Sequence, residues 1–423
     1  MRFDVDEGLL EKEVVELVFE GLDTYADISL NGYELISTDN QFREWKVDVK
    51  RYLKEKDNLL EVHFTGYDSV MTDLYEQVLP VLPEKYAVSR KAPYQHGWDW
   101  APKYKNVGIW KPVKLMGWNE VRLEDAYAVT GIADSVHAML TLHLDVENAT
   151  NGEYEVIVST GSTILANRSL SLSKGRHHKV FPVFIQDPQL WWPNEMGEQP
   201  LYDFEVVLKK DDRVLDTKKF KTGIRTFEMV DEPDSIGRAF YFKVNGVPMY
   251  AKGANYVPEE MIETWINADN TLKLLQMAKN AHFNMLRVWG GGIYPSDDFF
   301  NICDSLGILV WQDFMYAGSM YPFDETFLEN ARIEAEEQVR RLASHPSLAL
   351  WCGGNEISEG YYNWGWQQSL GWSEEDDKAI KAGYDRLFED ILPQPIIANF
   401  IILTSSYLNL KYNLQPLSLL YPD

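Results

Sequence analysis

The sequence predicts a multidomain β and α/β protein: a jelly-roll-like β-sandwich, an immunoglobulin-like β-sandwich, and then the first half of a (β/α)8 barrel. Three observations predict it. Two successive regions alternate apolar and polar residues with turn signals between them. After Ala239 the pattern changes to short apolar runs separated by helix-period segments, the signature of a parallel sheet with crossover helices. One such run, Leu348-Ala349-Leu350-Trp351, breaks at Gly353-Gly354 and presents Asn355 and Glu356, where barrel folds carry chemistry.

The first sandwich is expected over residues 1–118. Val14 to Phe19, Tyr25 to Leu30 and Leu59 to Phe64 read as strands, and Asn31-Gly32 is a strong hairpin signal. A long aromatic loop runs from Tyr94 to Pro102, and Trp110 to Leu115 closes the region. The second sandwich is expected over 119–229. Ala138 to Val146 alternates over nine positions, and Tyr154 to Val158, Lys179 to Phe184 and Phe204 to Leu208 follow. About seven short strands in roughly a hundred residues suit an immunoglobulin-like sandwich.

The β/α region is expected over 238–394. Its strands are Met249 to Gly253, Met285 to Trp289, Ile308 to Trp311 and Leu348 to Cys352. Its helices are Thr271 to His282, one capped by Ser296 and ended by Gly307, Glu325 to Ser344 and Glu374 to Leu392. That makes about four strand–helix units where a closed barrel has eight. From Pro395 to Asp423 only Lys411 and Asp423 are charged and no period is visible, so this apolar tail is expected to lie outside the fold.

Composition narrows the partners. Asp and Glu number 65 against 40 Lys and Arg, a formal charge of -25. Such a chain repels nucleic-acid phosphates and anionic membranes, so neutral molecules are the expected ligands. The 14 Trp and 23 Tyr suit sugar rings, although most aromatics fill cores. The two cysteines, Cys303 and Cys352, lie in apolar runs and read as buried free thiols. His177-His178 reads as a solvated loop pair, with no metal-ligand spacing around it. No apolar run approaches the roughly 20 residues that span a bilayer. The acidic start is not a signal peptide, and its immediate run into a strand suggests a missing upstream segment. The compartment is left open.

Polar residues stand at the predicted strand ends: Asn255, Arg287 with Trp289, Asp313, and Asn355 with Glu356. In a barrel these ends converge on one mouth. The bland alternative is an ion pair, Glu356 neutralised by Arg287.

Several motifs in order resemble glycoside hydrolase family 2. They are Gly21 to Ala26, Leu190-Trp191-Trp192-Pro193, Gln199-Pro200-Leu201-Tyr202, Gly223-Ile224-Arg225 and Val244-Asn245-Gly246. Arg90-Lys91 with Gly97-Trp98-Asp99-Trp100, and Arg287-Val288-Trp289-Gly290-Gly291-Gly292, resemble the β-mannosidases of that family. The resemblance implies hydrolysis of terminal β-mannose from oligosaccharides or glycoprotein glycans, without metal or cofactor. It implies that Glu356 is the general acid/base and that Asn355 contacts the 2-hydroxyl. Asp99 would reach the sugar's distal hydroxyls, and Trp100, Arg287, Trp289 and Trp364 would line the sugar pocket. Read from the residues alone, Asp99 is a turn residue and its flanking tryptophans are interdomain packing.

A retaining glycosidase uses two carboxyls roughly 5 Å apart, one protonating the leaving oxygen while the other attacks. The family's nucleophile is a second Glu on a late strand, and none is found here. Glu359 is too close to Glu356 in sequence to oppose it, and Asp313 is a poor substitute. The chain is therefore expected to be truncated at both ends and to have little activity. Other exo-glycosidases of the family (β-galactosidase, β-glucuronidase, exo-glucosaminidase) and a non-catalytic sugar-binding fragment are the alternatives.

Overall fold

The computed structural model describes residues 1–400. In the first unit, strands Arg2–Phe3, Asn58–Phe64, Tyr25–Leu30 and Tyr33–Asp39 form one antiparallel sheet. Trp45–Asp48, Val14–Phe19 and Val113–Trp118 form another. Between them Val15, Leu17, Phe19, Ile28, Leu30 and Leu60 are buried. Asn31 and Gly32 both adopt positive φ, 54° and 82°, the two-residue turn whose twist matches its flanking strands. The expectation of β structure throughout this unit is corrected at Tyr67–Gln77, which is an α-helix. Tyr67 and Met71 are buried there with Leu74, Tyr75 and Val78 partly buried, a helical spacing.

The second unit has a three-stranded sheet, His137–Asn148 flanked by Val121–Ala133 and Gly175–Gln186, facing a four-stranded one built from Gly152–Thr160, Thr163–Leu172, Tyr202–Lys210 and Arg213–Thr222. Alternate residues Leu140, Leu142, Leu144 and Val156, Val158 and Phe204, Val206, Leu208 fill the space between. His177 and His178 are not a loop pair: both lie in the strand Gly175–Gln186. The register sets His178 opposite Asp145, so its Nδ1 lies 2.8 Å from Asp145 Oδ1 and its Nε2 3.2 Å from His143 Nδ1.

A hairpin, Tyr241–Val244 with Val247–Met249, precedes the parallel sheet. The predicted strand Met249 to Gly253 is thus divided: Met249 ends the hairpin and the first parallel strand is Gly253–Tyr256. Met285–Val288, Leu309–Asp313 and Leu348–Cys352 follow side by side in chain order, all parallel. Helices Ala268–Asn280, Asp297–Leu306 and Glu325–Leu342 make the crossovers. Glu374–Tyr384 follows, capped reciprocally by Ser373 and Asp376, and widens into a π-helical stretch at Asp385–Ile391. The helix Pro393–Phe400 runs across the expected start of the tail, and Ile396 is 5% exposed within the main core. Residues 401–423 of that expected tail lie outside the described residues. No described helix is long and apolar enough to cross a membrane.

The first sandwich is bolted to the parallel sheet. Tyr86, Val88, Ala92, Tyr94 and Ala101, from its long loop, share one core with Val288, Trp289, Phe314 and Tyr316. Arg90 donates to Glu334 twice, Nε to Oε2 at 2.8 Å and Nη2 to Oε1 at 2.7 Å, with both side chains buried. Asn40 Nδ2 and Tyr294 OH add hydrogen bonds of 2.9 Å to the same carboxylate. The pair is desolvated but has further donors, the condition under which a buried ion pair holds. The second sandwich docks through Arg225 Nε to Pro346 O at 2.8 Å and Trp191 Nε1 to Asp304 O at 2.8 Å.

Candidate active site

The site forms where the parallel strands end. After Cys352 the chain turns at two glycines. A Cβ on Gly354 would lie 2.8 Å from Tyr316 O and 2.7 Å from Ile357 Cδ1, so only glycine lets the chain pass. Asn355 N then donates to Tyr316 O at 2.8 Å and Gly318 N donates to Asn355 O at 3.0 Å, extending the sheet by one bridge. Glu356 follows with φ 56° and ψ 24°, a left-handed conformation that costs a non-glycine residue about 1–2 kcal/mol. Such outliers gather at functional sites. Here Glu356 is exposed and begins the helix Ile357–Asn363 without capping it through its side chain.

A chain of hydrogen bonds joins all four strand ends. Arg287 Nη2 donates to Asp313 Oδ2 at 2.7 Å and Nε to Asp313 Oδ1 at 3.2 Å. The same Nη2 reaches Asn355 Oδ1 at 3.0 Å, and Nη1 reaches Asn255 Oδ1 at 3.4 Å. Asn355 Nδ2 donates to Glu356 Oε2 at 3.0 Å. Arg287 thus orients the Asn355 amide, and the amide holds one carboxylate oxygen of Glu356. The expected alternative, a direct Arg287–Glu356 pair, gives way to this arrangement: the cation is matched by Asp313 instead.

Asp313 has no exposed surface and also accepts Gly290 N at 3.0 Å. Burial raises its carboxyl to about 6, against the Arg287 charge and hydrogen bond that lower it. With both oxygens engaged, this carboxyl is built to hold Arg287 rather than to attack a substrate.

Asp99 and Trp100 form the tip of a tight turn closed by Trp98 N to Ala101 O at 2.9 Å and Ala101 N to Trp98 O at 3.1 Å. Asp99 is exposed there. Trp98 and Trp100 both pack edge-on against Trp289, with ring centroids 4.9 and 5.8 Å away, and Tyr94 stacks on Trp100 at 5.7 Å. A Cβ on Gly318 would lie 3.1 Å from Trp98. The turn therefore rests on the loops after the second and third strands, and Gly318 links it to Asn355. Asp99 is a turn residue and its neighbouring tryptophans pack between the units, as the residues alone suggest, at the rim of the strand ends.

Trp364 is 45% exposed and packs edge-on against Trp366 at 5.4 Å; among the described residues no hydrogen bond or ring contact joins it to the Arg287 network. Trp98, which buttresses Trp289, belongs to the Gly97-Trp98-Asp99-Trp100 motif and reads from sequence as interdomain packing, not as a pocket residue. Neither a cavity of about 290 Å³ behind Trp289 nor an open groove of about 2050 Å³ between the three units is lined by Asp99 or Glu356.

Residues 1–111 match the model of the galactose-binding-like domain of glycosyl hydrolase family 2, and residues 121–225 match the model named for glycosyl hydrolases family 2 itself. A β-mannosidase of Capra hircus is 36% identical over 390 residues, 86% of this chain and 44% of the relative. β-Mannosidase B of Emericella nidulans is 34% identical over 408 residues, 90% of this chain and 46% of the relative. The chain belongs to glycoside hydrolase family 2. Among solved structures, a β-D-mannosidase of Dictyoglomus thermophilum superposes with a TM-score of 0.87 at 36% identity, over 94% of this chain and 49% of the other. An exo-chitosanase of Amycolatopsis orientalis, at 23% identity and a TM-score of 0.70, shares the fold. This family 2 chain spans about half the length of the relatives it matches.

Proposed function

We propose that this chain carries the sugar-recognition and acid/base side of a retaining β-mannosidase acting on terminal, non-reducing β-mannose. In this reading the four parallel strands are the first half of a (β/α)8 barrel and their polar ends form one side of its mouth. Glu356 protonates the glycosidic oxygen. The Asn355 amide and Arg287 hold the ring hydroxyls next to the anomeric carbon, while Asp99 holds the distal ones. Trp100 and Trp289 shield the sugar from water, which strengthens each of these hydrogen bonds. No metal or cofactor is called for. The observation that carries the reading is the Arg287–Asn355–Glu356 hydrogen-bond chain across the ends of the second and fourth parallel strands, with the Asp99–Trp100 turn resting on Trp289 beside it. Its support comes from relatives named β-mannosidase.

Attack at the anomeric carbon needs a carboxylate facing Glu356. Asp313 is committed to Arg287 and Gly290, and the sequence has no glutamate after Glu389. We therefore expect the purified chain to bind β-mannosides and to turn them over little or not at all. Calorimetry with methyl β-D-mannoside, β-D-galactoside and β-D-glucuronide tests the specificity. A preference for the mannoside, weakened at least tenfold by Asp99→Ala and by Asn355→Ala, supports the reading. Equal affinity for all three, or none, refutes it. Turnover of 4-nitrophenyl β-D-mannoside at the rate of a complete family member refutes the expected inactivity.

A further inference from the structure

The cavity of about 290 Å³ lies behind Trp289, between the first sandwich and the loops that follow the first two parallel strands. Trp110, Tyr256, Trp289 and Phe299 give it aromatic walls. It meets the large interdomain groove at a neck made by three residues that line both spaces: Lys111, Ser296 and Asp298.

The polar side chains at that neck are uncommitted. The Lys111 ammonium stands 4.5 Å over the Trp110 ring and has no hydrogen bond or ion pair among the described residues. Burial, then the nearby Arg341 charge, pushes it down to about 8. Ser296 precedes the helix Asp297–Leu306, but its hydroxyl does not cap it. Asp298 in the first turn makes no ion pair among the described residues, whereas its neighbour Asp297 is taken by Arg341. One cationic donor, one hydroxyl and one anionic acceptor therefore stand at the mouth of a cavity walled by aromatic and aliphatic side chains, whose buried carboxylate, Glu263, is already hydrogen-bonded to Tyr94 and Asn106, and which opens to solvent through the groove.

We propose that this cavity is a second ligand site, distinct from the strand-end site, and that it takes one neutral pyranose sugar. The charge pattern selects neutrality. An anion at the neck faces Asp298 and a cation faces Lys111, while vicinal hydroxyls satisfy both. The aromatic walls suit the apolar face of a sugar ring, and the volume is near the lower end of small-ligand pockets, about 300 Å³. Because Trp289 is a wall of this cavity and also meets Trp98 and Trp100, an occupant here bears on the wall of the strand-end site.

Titration of the whole chain with D-mannose, followed by calorimetry and saturation-transfer NMR, tests this. The wild type should show two binding events. Lys111→Met should remove one and leave the other, and the double variant Asp99→Ala/Asn355→Ala should do the reverse. D-Glucuronate and D-glucosamine should bind the Lys111-dependent site at least tenfold more weakly than D-mannose. Asp298→Ala, on the exposed end of its helix, serves if Lys111→Met does not fold. Two events that both survive Lys111→Met or Asp298→Ala overturn the proposal, as does preference of this site for a charged sugar or the absence of any event sensitive to the neck. A single event, lost with the neck and unaffected by Asp99→Ala/Asn355→Ala, supports this site while removing the strand-end reading.

Discussion

Arg287 grips Asp313 through two hydrogen bonds, of 2.7 and 3.2 Å, and also donates to Asn355 and Asn255. Asp313 is fully buried, so the pair is the anchor from which the strand-end residues are aimed. Removing one member of such a pair leaves a buried charge alone. Arg287→Ala is therefore expected to lose about 3–5 kcal/mol of stability at pH 7. The loss should shrink near pH 4, where Asp313 is protonated with or without Arg287. Urea unfolding at the two pH values checks this; an equal loss at both contradicts it.

The pH dependence of the native protein follows from the same carboxyl. Its folded value of about 6 lies above the ordinary 3.8, because burial outweighs Arg287. The folded state thus binds this proton more tightly than the unfolded one. The stability it contributes is fully present below about pH 4 and is lost as pH rises through about 6. Asp313→Asn cannot titrate. The stability of wild type relative to Asp313→Asn is expected to fall by about 3 kcal/mol between pH 4 and 7, from roughly two pKa units at 1.36 kcal/mol each. A flat difference over that range contradicts the assignment.

The turn that aims Glu356 depends on a missing side chain. At Gly354 a Cβ meets Tyr316 O at 2.8 Å and Tyr316 Cβ at 3.0 Å, and backbone cannot step aside cheaply. Gly354→Ala should cost about 1–3 kcal/mol, in the range of overpacked cores. It should also displace Asn355 and so weaken methyl β-D-mannoside binding. Unchanged affinity in a folded Gly354→Ala protein would show that this turn does not position the site.

The Arg90–Glu334 pair ties the first sandwich to the helix Glu325–Leu342. Glu334→Ala strands a buried guanidinium along with Asn40 and Tyr294, and a loss of about 3–5 kcal/mol is expected. The loop that carries Asp99 should then become open to proteases between Leu82 and Ala101, the stretch this pair helps bury. Limited proteolysis reads this out directly, and an unchanged cleavage pattern counts against interdomain anchoring by Glu334.

Much of this was legible in the chain, for identifiable reasons. The strands Val14–Phe19, Tyr25–Leu30 and Leu348–Cys352 match their predicted bounds because apolar patterning ends sharply at Gly, Asn-Gly or Gly-Gly. The helix Tyr67–Gln77 was missed because its apolar face is sparse and sits inside an otherwise β region. The hairpin strand ending at Met249 and the parallel strand starting at Gly253 merged into one, since short apolar runs carry no direction. The strand-end positions of Arg287, Asn355 and Glu356 could be read from the breaks in the apolar runs, whereas Asp99 and Trp100 could be named only through the family resemblance. The role of Asp313 as the partner of Arg287 could not be read, because pairing across neighbouring strands depends on register, which a single sequence does not give.

The most direct measurement is a crystal structure of the chain with 4-nitrophenyl β-D-mannoside. The glycosidic oxygen is expected about 3 Å from a Glu356 carboxylate oxygen. Ring hydroxyls are expected on Asn355 and Asp99, with the sugar beside Trp289. A sugar bound elsewhere, or carboxylates of Asp99 and Glu356 opening onto opposite sides of the molecule, would contradict it.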